Sequence, residues 1–190
     1  MKLKKINAGL ALLTAATGLI HIIYNVISYL MFIHNEMLTH ITADVFMTLT
    51  IIHAVLGMIA ITVMGDGSNI KLYPKQNMNT IIQRITGMIM FPLLFFHANT
   101  FDLLMKNAKI GNTVVIGLLI VVQILFFGDV LAHIALSIPR ALITLGRITS
   151  QRQKTRIDRI VFVVCGCLFA AAVYAVTKTD IALVNMVSEV

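Results

Sequence analysis

Five apolar stretches, each near the length of a membrane crossing, constrain this chain more than any other feature. They cover about residues 6–32, 41–64, 81–105, 114–138 and 160–176. A helix needs roughly 20 apolar residues to cross the ~30 Å hydrocarbon core. Five crossings use up most of 190 residues and leave no room for a separate soluble domain. Apolar residues make up 58% of the chain and charged residues 12%. A soluble domain would carry about 45–50% and about 25%. The same figures exclude a disordered chain and a nucleic-acid reader, despite a formal net charge of +7. The fold class expected is an all-α membrane protein, a single domain of five transmembrane helices. Cys165 and Cys167 sit two residues apart in one apolar run, on different sides of a helix, and read neither as a disulfide framework nor as a zinc site. The basic start Lys2-Leu3-Lys4-Lys5 is similar to the charged region of a secretory signal. The apolar run after it is too long for one, so it reads as an uncleaved first span.

The basic residues set the direction of the spans. With the N-terminus in the cytoplasm, the inner segments hold Lys2, Lys4, Lys5, Lys71, Lys75, Arg84, Arg140, Arg147, Arg152, Lys154, Arg156 and Arg159. Only Lys106, Lys109 and Lys178 fall outside. Positive charge collects on the cytoplasmic side of membrane proteins. The expected topology is therefore N-in, C-out, in the plasma membrane.

Within this apolar frame the first four spans carry one histidine each: His21, His53, His97 and His133. An ionisable residue inside a membrane is costly and usually faces the bundle interior for a reason. One such histidine is explained by an interhelical hydrogen bond. Four, one per consecutive span, are harder to explain separately. At about 100° per residue, Thr14, Thr17, Gly18, His21, Asn25 and Ser28 share one stripe, and Asp129, His133, Ser137 and Arg140 share another. Gly57 and Ala60 follow His53 on its face, and Thr86 and Gly87 precede His97 near its own. Small neighbours leave room for something flat, although close helix packing asks for the same residues.

Haem fits paired imidazoles between packed helices, because a neutral ring nitrogen binds the iron axially. Zinc would need its ligands to converge on one point. The depths argue against convergence. At ~1.5 Å per residue, His21 and His97 lie roughly 22–24 Å from the cytoplasmic ends of their spans, in the outer half of the core. His53 and His133 fall toward the inner half, though counting from the outer ends gives about 18 Å and about 30 Å. Two levels with two histidines each predict two cofactor sites.

The chain resembles the single-chain, five-helix, di-haem cytochrome b subunits of succinate dehydrogenases and fumarate reductases. The residues that carry the resemblance are His53-Ala54-Val55 with Gly57, then Gln83-Arg84-Ile85-Thr86-Gly87 with His97, then His133. Ile143-Thr144-Leu145-Gly146 and Ser150-Gln151-Arg152 complete it. The likeness is strongest from about residue 50 to 160, and the absence of a histidine from the fifth span agrees with it. It implies two b-type haems, an inner one on His53 and His133 and an outer one on His21 and His97. It implies a flavoprotein subunit and an iron–sulfur subunit docked on the cytoplasmic face. Electrons would then pass between succinate and a quinone, menaquinone, through both haems.

Further residues are assigned on this frame. Arg140, two turns from His133 on its face, and Arg84, at the inner end of the third span, either pair with haem propionates or serve only as topology signals. Pro92 and Pro139 should bend the third and fourth spans. Asp129, one turn from His133, is either a local hydrogen-bond partner or a proton carrier. Some members of the family resembled place a proton-carrying glutamate two residues before the ligand histidine, where this chain has Leu131. His34, Glu36, His40 and Asp44 cluster in the outer loop, either as titratable groups for quinone chemistry or as an ordinary solvated loop.

The expected function is that of the haem-bearing anchor of a succinate:menaquinone oxidoreductase, with no catalytic machinery for succinate of its own. The same architecture would serve a fumarate or related enoate reductase, or a cytochrome b for an unrelated dehydrogenase. A non-redox membrane protein using its histidines for packing or ion passage is the remaining class.

Overall fold

A computed structural model describes the backbone of residues 2–31, 33, 35–64 and 74–188, with side chains for all of these except 61–64, 74–77 and 188. It contains α1 (Lys2–Met31), α2 (Glu36–Met64), α3 (Pro74–Lys109), α4 (Thr113–Thr144) and α5 (Gln151–Ser188), and no strand among the described residues. Each helix is long and apolar enough to cross a membrane.

Local chemistry carries the helices beyond their apolar runs. The Asn35 side-chain oxygen accepts from the Leu38 amide at 3.0 Å, and Glu36 adds a negative charge to the first turn, so α2 starts at Glu36. Glu36, His40 and Asp44 therefore stand on a helix and not in a loop. At α5 the Ser150 hydroxyl accepts from the Gln153 amide while the Gln153 side chain accepts from the Ser150 amide, both at 3.3 Å. This reciprocal cap starts α5 at Gln151, so the basic stretch between the fourth and fifth apolar runs is mostly helix. Asn112 caps α4 through the Val115 amide.

The C-terminal ends of α3 and α4 share a second device. Gly111 (φ 67°) and Gly146 (φ 75°) take the left-handed conformation that glycine adopts without strain. Asn112 then donates to the Asn107 carbonyl and Arg147 to the Leu142 carbonyl, the bonds that close a Schellman motif. Pro92 and Pro139 both lie inside continuous helices.

The core centres on α4, which packs against α1, α3 and α5. Phe126, Val130, Leu131, Ile134 and Ala135 meet Ala15 and Ile22 of α1, Met90 of α3, and Cys165 and Ala172 of α5. A second cluster, Leu104, Ala108, Ile116 and Leu119, closes the end where α3 turns into α4. In contrast α2 packs chiefly on α1 and turns residues such as Met58 (60% exposed) outward. Neither α1 with α3 nor α2 with α4 is closely packed along its backbone among the described residues.

Cross-helix contacts fix two antiparallel registers. In the α1–α2 hairpin, Thr14 donates to the Leu49 carbonyl, Gly18 faces Phe46, and His21 meets Thr42. In the α3–α4 hairpin, Thr80 meets Arg140, Gln83 meets Ser137, Thr86 meets His133, and His97 meets Gln123. The end at which α1, α3 and α5 begin is the basic end.

Candidate functional site

The registers place the four histidines on two levels. Extending the α1–α2 register puts His53 opposite Leu10 and Ala11, about ten residues from His21. In the α3–α4 hairpin His133 lies against Gly87, again about ten residues from His97. Both spacings correspond to ~15 Å of rise. The uneven depths counted from the sequence came from using helix ends as the reference, and the helices overhang one another by different lengths. The two hairpins bring like levels together. His21 and His97 are within electrostatic reach of each other, and so are His53 and His133. Each pair therefore comes from alternate helices whose backbones stand apart. Among the described residues no three His, Cys, Asp or Glu side chains converge on one point.

Hydrogen bonds orient the rings. His97 Nδ1 lies 2.6 Å from Gln123 Oε1, which can only accept, so Nδ1 carries the proton and Nε2 keeps its lone pair. Thr86 spends its hydroxyl proton on the Gln83 carbonyl and accepts from His133 Nδ1 at 3.0 Å. Thr42 does the same for His21, donating to the Leu38 carbonyl at 2.9 Å and meeting His21 Nδ1 at 3.1 Å. Asn25 donates to the His21 carbonyl and sits close to both ring nitrogens. His53 differs: its Nδ1 is buried with no hydrogen-bond partner among the described residues.

The surroundings differ by level. His97 stacks on Phe126 at 4.5 Å and meets Phe127 edge-on, while His21 stacks more loosely on Phe46. A Cβ at Gly18 would come 2.7 Å from the Phe46 ring. At the other level a Cβ on Gly87 would stand 3.2 Å from His133 Cε1, so the absence of a side chain lets the α3 backbone approach that ring. Below it the polar stripe of α4 is tied to α3. Gln83 donates to Ser137 at 2.7 Å and accepts from Arg140 at 2.8 Å, and Arg140 also donates to Thr80. Arg84 lies within electrostatic reach of Arg140, so two guanidinium groups share this end of the site.

Haem suits this donor set. The porphyrin supplies four nitrogens, the protein would need two imidazoles per level, and an acceptor that holds the proton on Nδ1 leaves Nε2 free for the iron. His97 and His133 meet that requirement, and the orphaned Nδ1 of His53 is a buried polar atom still in want of a partner. The other expected residues stand apart from the pairs. Asp129 lies on α4 between the two levels, its Oδ2 buried and without a hydrogen-bond partner among the described residues. Glu36 and His40 form an exposed 3.9 Å pair on the first turns of α2, just beyond the level of His21, and Asp44 is exposed beside them. His34 lies outside the described residues. Gln123 and Thr42 were not anticipated from the sequence. Gln123, an amide inside the most apolar span, was a visible signal; Thr42 offered none.

Comparison of the chain with protein-family models, with curated proteins and with solved structures finds no match.

Proposed function

We propose that the chain is the cytochrome b membrane anchor of a succinate:menaquinone oxidoreductase, holding one b-type haem between His53 and His133 and a second between His21 and His97. The observation that carries this reading is the equal spacing of the histidines in two hairpins, which brings them into two pairs from alternate helices. A packing role for each histidine separately would require no such agreement.

Bound haem supplies one-electron transfer across a low-dielectric interior that electrons cannot otherwise cross. The chain's own residues do the rest. Gln123 and Thr86 hold the proton of the ligand rings on Nδ1. Phe126 and Phe127 keep water from His97. Arg84 and Arg140 offer charge-assisted contacts to anionic ring substituents at the basic end. That end faces the cytoplasm in this reading and receives the flavoprotein and iron–sulfur subunits. Quinone reacts at the opposite end, where Glu36, His40 and Asp44, with His34 beside them in sequence, exchange its protons with solvent.

The test is a reduced-minus-oxidised spectrum of the purified chain with haem quantification. Two b-type haems per chain are expected, and a colourless protein overturns the reading. Copurification with a flavoprotein and an iron–sulfur protein distinguishes this anchor from a cytochrome b serving another dehydrogenase. The direction of turnover with succinate or fumarate separates dehydrogenase from reductase.

A further inference from the structure

The face of α5 that turns away from the bundle is built in two parts. Arg152, Arg156 and Arg159 recur at helical spacing on its first turns, and Val163, Cys167 and Ala170 continue the same stripe. All six are exposed. None of the three arginines has an ion-pair partner among the described residues. The nearest acid on the helix, Asp158, is held by Lys154 at 2.6 Å on another side. A Cβ on Gly166, beside the stripe, would meet open space. This helix carries none of the four histidines, so its exposed face has no part in the haem reading.

The dimensions match one leaflet. From Arg159 to Ala170 the helix rises ~16 Å, half of a ~30 Å hydrocarbon core. The guanidinium groups thus stand at headgroup depth when the stripe below them stands among acyl chains. Guanidinium binds phosphate through paired N–H donors. A soluble acidic partner would meet the arginines but has no use for the apolar lane that continues from them into the membrane. An anionic phospholipid uses both. We propose that this face of α5 is a binding site for one anionic phospholipid, its phosphate on Arg152, Arg156 and Arg159 and its acyl chains along Val163, Cys167 and Ala170.

The experiment is native mass spectrometry of the full chain released from detergent after equilibration with phosphatidylglycerol or with phosphatidylcholine of the same acyl chains. A retained phosphatidylglycerol adduct, absent with phosphatidylcholine, is expected. The triple variant R152Q/R156Q/R159Q should lose it, with each arginine contributing about fivefold in retention. The variant K106Q/K109Q, which removes charge at the opposite end, should keep it. A170W, which blocks the lane and leaves the arginines in place, should weaken it several-fold. Equal retention of the two lipids by the unsubstituted chain overturns the proposal without any variant. So does an equal loss in K106Q/K109Q, which would make the effect one of net charge. Insensitivity to A170W also overturns it, since that is the behaviour of a headgroup-only surface such as an acidic protein would meet. Haem content of the same samples reads the haem assignment independently.

Discussion

The two histidine levels use the same pair of side chains in different surroundings, one lined by aromatic rings and the other by a polar chain that ends on an arginine. His21 and His97 lie among Phe46, Phe126 and Phe127, with Gln123 accepting from His97, and Thr42 and Asn25 beside His21. At the other level His133 lies beside Gly87, a threonine hydroxyl, and a polar chain that runs through Gln83 and Ser137 to Arg140, while His53 faces it with its Nδ1 unpartnered among the described residues. The difference teaches that the same pair of side chains does not by itself fix how a site would behave once it held a cofactor. Imidazoles are common to both levels, whereas nearby charge, hydrogen bonding and access to water are set by whichever helix face lies alongside.

The largest effects test whether the levels are separate. Replacing His97 or His21 by Leu should cut haem from two per chain to one and leave the second spectrum intact. His53→Leu or His133→Leu should remove the complementary band. The pyridine haemochrome assay counts the groups, and loss of both from one substitution breaks the comparison. Next come the acceptors on Nδ1. Gln123→Leu should weaken the level of His97, and Thr86→Val that of His133, each by about 10–100-fold in haem retention. Titration of the haem-free chain measures this.

Smaller again are the two glycines. Gly87→Val drives side-chain atoms into the His133 ring against α3 backbone and should cost about 1–3 kcal/mol of stability with a perturbed spectrum at that level only. Gly18→Ala pushes on the Phe46 ring, which can swing, so it should cost less and touch only the level of His21. Thermal melts with the visible spectrum as readout separate the two. The smallest effect expected is from Arg140→Gln. A nearby cation favours electron uptake, so its removal should lower the midpoint potential of the His53–His133 level. The expected size is one tenfold step in the reduction equilibrium, ~60 mV for one electron. The unsubstituted protein should show this level at the higher potential in a redox titration.

Much of this arrangement was readable in the sequence, because hydropathy and helical spacing are local. The five spans, the order of the histidines and the stripe from His133 to Arg140 all survive as α-helical features. Helix ends were less legible from apolar content alone, since α5 starts on a basic stretch. The signal lay in Ser150-Gln151-Arg152-Gln153, whose serine and glutamine cap each other. The pairing of His53 with His133 looked uneven because depth was measured from each span's own end. Only contacts between helices, such as Thr14 with Leu49 and Gln83 with Ser137, supply a common origin. Gln123 is hidden for a related reason: averaging over an apolar window conceals one amide, and its meaning comes from a histidine on another helix.

The matched rise in the two hairpins acts as a vernier. Sliding one hairpin past the other by a single turn would misalign both levels together, and no slide can repair one while sparing the other. Whatever clamps the first pair therefore sets the second in line without further search. In the haem reading, loading should thus be cooperative in affinity: a chain stripped of one level still takes up its remaining group, only less tightly, because that group must overcome the vertical freedom alone.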